Sequence, residues 1–445
     1  MAEEPLQIAN CKMQIVNLHF AICIMQFPPR YARKTPALLT ILLCGGVVLA
    51  GCGKSGPDPS ETANRGEQSA AARIDRIDRA RTRAARYLLA RQDVRDGAWR
   101  SDNYAALKDG PSLTPLAFHA LLCVPAFQDL ESPCRKAADY LASIVRSNGT
   151  IAEGEHGLSY PVYTAACAVQ ALSEPRSSRH INARDAWLTF LRKRQLTEDL
   201  GWKPADKEYG GWGYSIGVPT RANREALTES NISATVFALE ALRAAGCSRS
   251  DPAFSKALIF VKRCQNFSDD VAKRNPTFDD GGFFFIYGDA NRNKAGLAGK
   301  EDSNRERFRS YGSATADGLR CLIACGLPGD HPRVTAARRW LEGRFRADAN
   351  PGDFPEERES RRVGVYFYYA WSASQALRVA AAKEIQSLSG KVNWAEVLAD
   401  TLMSRQETDG SWRNPVSFYQ EDDPVLATSL AARALANCRE VITGH

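Results

Sequence analysis

The chain has 445 residues, 44% of them hydrophobic and 24% charged, a globular balance that excludes both a disordered polymer and a bundle of membrane spans. Lys and Arg outnumber Asp and Glu by 58 to 51, and the basic residues are scattered among acids rather than interleaved with aromatics along a stripe. No nucleic acid is expected as a partner.

In chain order, the first feature is "RYARKTPALLTILLCGGVVLAGC", with basic residues Arg30, Arg33 and Lys34, an apolar run from about Pro36 and small residues before Cys52. A charged start and a run too short for a comfortable span make a secretory signal. Its last four residues, Leu49-Ala50-Gly51-Cys52, resemble the lipobox of bacterial lipoproteins, in which the cysteine is freed by cleavage and lipidated; an uncut signal anchor is the alternative. The expected organisation is a signal segment over 1–51, with 1–24 superfluous because Met25 would start a signal of ordinary length. The resemblance implies lipidation at Cys52 and a place in the cell envelope, on the exported side of a bacterial membrane, with that membrane as a partner. Residues 52–70 have almost no large apolar side chain and are read as a flexible tether.

Residues 71–440 hold a repeat. "RQDVRDGAW" (Arg91 to Trp99) returns as "RQETDGSW" (Arg405 to Trp412). Apolar-periodic segments at 84–92, 137–145, 186–195, 257–265, 336–345 and 398–406 each precede a Gly-rich or aromatic turn: "DGAW", "SNGT", "GGWGY", "DDGGF", "NPGDF" and "DGSW". After each turn comes a small-residue helix with an X-Ala-Leu-like triplet, led by His119, Gln170, Glu240, Arg320, Gln375 and Arg433. Both sets of segments show i, i+3, i+4 spacing. The repeated octet is thus the end of one helix and the turn into the next, with glycine supplying a positive φ and the aromatic folding back as a plug. Hairpins repeated in this way stack or close into a ring.

Gln-x3-Asp-Gly-Ala-Trp and Gln-x2-Asp-Gly-Ser-Trp resemble the QW repeats of the squalene-hopene cyclase and protein prenyltransferase β-subunit superfamily. "DDGGFFF" (279–285), "SYGSATADGLRCL" (310–322) and "DDPVLATSLAARAL" (422–435) are also similar to segments of prenyltransferase/squalene-oxidase repeat proteins. The resemblance implies an all-α fold, an (α/α)6 toroid of six helical hairpins with inner helices around a central cavity. It says less about chemistry, because one fold carries many functions. The DxDD-like acid of the cyclases is missing: Asp279-Asp280 and Glu421-Asp422-Asp423 are its nearest approaches, and acidic residues before helices are commonly caps. The zinc-binding Asp, Cys and His of the prenyltransferases are not matched either. No metal and no cofactor is expected.

Eight cysteines follow Cys52. Cys123 with Cys134, or Cys247 with Cys264, would bridge short connections in an exported protein; small buried apolar residues are the equal alternative.

If each triplet leucine packs outward, the residue two places earlier is turned by about 200° and faces the lumen. That position is polar in every repeat: His119, Gln170, Glu240, Arg320, Gln375 and Arg433. One turn back the same face adds Asp317 and Ser372, and beyond them Tyr163, Ser233, Ser313 and Tyr368. Solvent-exposed helix ends would give the same polarity. A polar lumen disfavours a hydrocarbon ligand, since desolvating each group costs a few kcal/mol. The candidate cavity-binding set is therefore His119, Gln170, Glu240, Asp317, Arg320, Tyr368, Gln375 and Arg433. The expected function is that of a membrane-tethered lipoprotein binding a small molecule, glycan or peptide. The alternative is an enzyme on this fold, either a divergent isoprenoid cyclase or transferase, or a polysaccharide lyase or hydrolase using Glu240, Asp317, Arg320 and a tyrosine.

Overall fold

The repeated turns are built by one set of hydrogen bonds. In the computed structural model, which describes residues 59–444 apart from 125–129, 225–226, 302 and 388–389, a glutamine ends the outer helix of four hairpins. Each side-chain amide donates twice. Gln92 reaches the carbonyls of Gly97 and Pro133, Gln195 those of Gly210 and Ala253, Gln265 those of Gly281 and Arg333, and Gln406 those of Gly410 and Ala80. The first carbonyl lies in the glutamine's own turn and the second at the next outer helix, so one side chain ties two hairpins together. The turn aromatics close the other side: the indole N–H of Trp99, Trp212 and Trp412 donates to Leu88, Leu191 and Leu402 of the preceding helix. Their backbone N–H groups, with that of Phe283, donate to Thr114, Thr235, Thr428 and Thr315, all near the start of the following helix.

Glycine is required in these turns twice over. Gly97 and Gly410 have φ of 81° and 90°, where an L side chain is strained. A Cβ on Gly97 would also lie 2.6 Å from the Lys136 backbone, and one on Gly410 2.6 Å from the Arg83 carbonyl oxygen.

The helices are α1 (Pro59–Arg91), α2 (Thr114–Leu122), α3 (Glu131–Ser143), α4 (Pro161–Leu172), α5 (Ile181–Arg192), α6 (Ile232–Ala244) and α7 (Pro252–Arg263). They continue as α8 (Gly312–Ala324), α9 (Pro332–Gly343), the short α10 (Glu359–Val363), α11 (Tyr366–Val379), α12 (Trp394–Ser404) and α13 (Pro424–Thr443). Prolines in the first turns of α4, α7, α9 and α13 sit where a missing N–H costs nothing. Two short hairpins, β1 (Leu297–Lys300) with β2 (Glu306–Phe308) and β3 (Glu384–Ser387) with β4 (Gly390–Asn393), decorate the connections.

The inner helices pack in the order α2, α4, α6, α8, α11, α13 and back to α2, which closes the ring. Around them lie α1, α3, α5, α7, α9 and α12, each joined by its turn to the next inner helix. The fold is the all-α (α/α)6 toroid. Inner helices are buried on nearly every side, as α8 is from Gly312 to Leu322, and their alanines, glycines and serines let neighbouring backbones approach. Outer helices bury one stripe, such as Ala253, Phe254, Ala257, Phe260 and Val261 of α7.

One feature differs from the sequence reading. Helix α1 begins at Pro59, inside the stretch read as a flexible tether; Glu, Ala, Gln and Arg form helix well without apolar neighbours, and from residue 70 onward, where burial is described, the first core side chains of α1 are Ile77 and Ala80. Of the two readings for the cysteines the second holds, with Cys134, Cys167, Cys264, Cys321 and Cys438 buried as small apolar groups. The signal segment and Cys52 lie outside the described residues. Among the described residues no helix is long and apolar enough to cross a membrane.

Candidate functional site

Of the six triplet side chains, Gln170, Arg320 and Arg433 are buried, and His119, Glu240 and Gln375 are half-buried. Their leucine partners, Leu121, Leu172, Leu242, Leu322, Leu377 and Leu435, are buried too.

The set divides into two groups with different chemistry. In the first, Asp317 of α8 is fully buried, and both its oxygens accept twice. Oδ2 accepts from the hydroxyls of Ser233 (2.6 Å) and Tyr368 (2.8 Å). Oδ1 accepts from Ser372 (2.5 Å) and Arg320 (3.2 Å). Arg320 also donates to Ser372 and makes a two-pronged pair with Glu240 of α6, Nε lying 2.8 Å from Oε1. Burial pushes the Asp317 carboxyl up while Arg320 and the hydroxyls pull it back, and the two carboxylates hold Arg320 firmly charged. This network is closed. With both oxygens engaged by Ser233, Tyr368, Ser372 and Arg320, Asp317 is held within the network rather than presented to a substrate.

Aromatic rings pack beside it. Phe237 lies 4.5 Å from Tyr163, 5.2 Å from Trp371 and 6.4 Å from Tyr368, ring centroid to centroid, and the hydroxyls of Tyr163 and Tyr214 are 2.8 Å apart. Aromatic side chains from α4, α6 and α11 thus meet beside the network, which is more aromatic in its surroundings than the triplets alone indicate. Within "VYFYYAW" the helical period splits the run: Tyr366 and Tyr369 donate to the backbone at Ala347 and Arg346 beyond α9, while Tyr368 and Trp371 face the centre.

The second group keeps polar atoms without partners. Arg433 of α13 stacks its guanidinium 4.5 Å from the Trp371 ring centroid, lies near enough to the Cys167 thiol of α4 to counter the rise that burial gives its pKa, and lies close enough to His119 of α2 to depress its pKa, although burial is the larger cause. Arg433 Nη1, Gln170 Nε2 and His119 Nδ1 are buried with no protein partner. Gln375 stands apart, accepting from Arg378 of its own helix at 3.2 Å, and Ser313 pairs with Asn350.

The acidic runs serve structure. Asp280 accepts from Gly282, Ser310 and Trp340, and Asp279 pairs with Arg307. Asp423 caps α13, and Glu421 accepts the backbone N–H groups of Phe367 and Tyr368 at the start of α11. Burial nevertheless raises Glu421 to about 7. Two surface clefts, one between Asp279–Gly281 and α9 and one beside Arg309, Phe354 and Arg362, contain none of the candidate residues.

Sequence reasoning missed Lys294. It sits in a loop with no periodic signal, which Asn293 folds by accepting from Phe285 and Ile286 and donating to Ile286 and Asp289. The Lys294 ammonium then lies 4.5 Å from Phe285, 4.9 Å from Tyr419 and 5.9 Å from Tyr311, and burial lowers its pKa to about 8.

No family model matches the chain, and no curated protein matches it. Solved structures do. The type II terpene cyclase MstE from Scytonema, as a variant with its substrate geranylgeranyl dihydroxybenzoate, aligns over 83% of this chain and 99% of its own with a TM-score of 0.51 at 13% identity. A protein from Actinoplanes aligns over 81% and 99% with a TM-score of 0.49 at 17% identity. A glycosidase variant in complex with glucose aligns over 87% and 100% with a TM-score of 0.46 at 12% identity. At such identities the likeness to the cyclase concerns the fold, and its reaction does not transfer with it.

Proposed function

We propose that this chain is an exported lipoprotein, cut and lipidated at Cys52, whose toroid binds a polar ligand within the ring of inner helices. The observation that carries this reading is the burial of Gln170 and Arg433 and the partial burial of His119, with hydrogen-bonding atoms of all three left without a protein partner. Buried polar groups are normally paired, so partnerless ones in the interior suit a site that a ligand or its water completes. The test is native mass spectrometry of the mature protein purified from its membrane fraction: a retained small molecule, glycan or peptide is expected, and a bare mass under gentle conditions would defeat the reading. For the anchor, Cys52→Ser should abolish fatty-acid labelling and leave precursor; unchanged labelling would remove the lipobox from the proposal.

We also read the QW-like turns as kinship with that superfamily, which the shared Gln, Gly, aromatic and Thr bonding set of four hairpins supports. An enzymatic role is favoured by one observation, the convergence of Tyr368, Asp317, Arg320 and Glu240 in a single network. A tyrosine oriented by a carboxylate fits hydrolysis or elimination on a polysaccharide better than cyclisation. Tyr368→Phe should then abolish turnover of a responsive polysaccharide while retaining its binding; turnover undiminished in that variant would exclude the network from catalysis.

A further inference from the structure

A buried guanidinium without a counter-ion is expensive, and proteins pair nearly all of them. Arg320, the other buried arginine of the described inner helices, follows that rule by pairing with Glu240 and Asp317. Arg433 does not. It is 7% exposed, has no carboxylate partner among the described residues, and leaves Nη1 without any hydrogen bond. Trp371 holds its plane by stacking, which positions the guanidinium without neutralising it. Around it stand neutral groups that can donate. Gln170, also 7% exposed, lies one helical turn beyond Cys167 on α4 and has a free Nε2, and His119 on α2 has a free Nδ1. Helices α13, α2 and α4 are consecutive in the ring, so the three side chains share one stretch of its inner wall.

We propose that Arg433, Gln170 and His119 form an oxyanion subsite that takes the singly charged head of the ligand, a carboxylate or sulfate ester. One fixed positive charge and neutral donors match one negative charge, while a dianionic phosphate would bring a second charge with no partner. The arginine supplies the charge-assisted bond, which is about twice as strong as a neutral one. Glutamine fills a second lone pair, and the imidazole, kept neutral by burial and by Arg433 itself, donates without adding charge. This rests on the ligand-binding reading above and narrows it to acidic ligands.

Propionate and its uncharged isostere propionamide test the subsite, at constant ionic strength, by the shift in Tm of the mature protein. Wild type should show a saturable rise with propionate and none with propionamide. Arg433→Met should lose at least about tenfold in apparent affinity for propionate, and Gln170→Leu should lose several-fold. The ligand-free Tm separates this from a structural role: a partnerless buried charge replaced by an apolar side chain of similar reach should leave Tm unchanged or raised. A marked fall in the ligand-free Tm of Arg433→Met, or equal responses to propionate and propionamide, would overturn the subsite. An uncharged molecule retained by the purified protein would also overturn it while leaving the binding reading intact.

Discussion

At the scale of the residue, the heaviest single burial is that of the turn tryptophans. Trp412 is fully buried, its indole N–H bonded to Leu402 and its backbone N–H to Thr428, so it joins α12 to α13. Trp412→Ala removes a large apolar side chain and two anchor points of a turn, and should destabilise by about 3 kcal/mol or more in denaturant titration; an unchanged midpoint would place the indole outside the core. Lys294 offers a pH test. Its folded pKa, about 8, lies below the ordinary lysine value of 10.5, so between those values the unfolded chain binds more protons and stability rises with pH. Below pH 8 both states are charged and the full cost of burial is carried. Lys294→Met should therefore stabilise at pH 7, with the gain shrinking toward pH 10.5, as followed by Tm across that range. Glu421 works in the opposite sense. Raised to about 7 from 4.5, it makes the folded state bind more protons between those values, so its contribution to stability is lost as pH rises through about 7. Glu421→Gln should flatten that decline in the same measurement.

At the scale of the element, the turn is the unit that the repeat preserves. Gln406 is the only one of the four stapling glutamines that reaches back across the ends of the chain, joining Gly410 of the sixth hairpin to Ala80 of α1. Gln406→Leu removes the Gly410 carbonyl's side-chain donor and the extra bond to the helical Ala80 carbonyl, and should cost roughly 1–3 kcal/mol. Gly410→Ala combines a φ of 90° with a Cβ 2.6 Å from the Arg83 carbonyl oxygen. It should cost more than the 1–2 kcal/mol of left-handed strain alone, because α1 must also move away. Chemical denaturation of the two variants against wild type reads both effects; equal stability of Gly410→Ala would mean that the seam between the sixth hairpin and α1 is loose.

For the whole molecule, ring closure makes α1 as necessary as any central helix. It packs along α13, and Arg439 of α13 binds Asp78 of α1 at 2.8 Å. A chain starting at Ala70 keeps every core side chain from Ile77 onward and should fold with a Tm close to that of the mature protein. A chain starting at Gln92 exposes the apolar face of α13 and should fail to give a cooperative transition. A cooperative transition in the shorter chain would show that five and a half hairpins suffice, as in an open solenoid.

The sequence by itself determined the hairpins. Their helical periodicity, the Gln-to-Trp spacing and the turn glycines are local requirements of backbone geometry, and the six polar triplet positions follow from 100° per residue along an inner helix. It also determined that Asp279-Asp280 and Glu421-Asp422-Asp423 precede turns and helices, where acids cap. Only the tertiary structure decided which polar residues satisfy one another. Asp317, Arg320, Glu240 and Tyr368 come from α6, α8 and α11 and close into a network because those helices are neighbours in the ring. Arg433, nearly identical to Arg320 in its local sequence setting, meets Trp371 and no carboxylate. Lys294 carries no signal at all, since its burial depends on an irregular loop held by Asn293. Spacing along a chain fixes which face a side chain takes, but hydrogen bonding and charge balance depend on what stands opposite, and the closure of the ring supplies that.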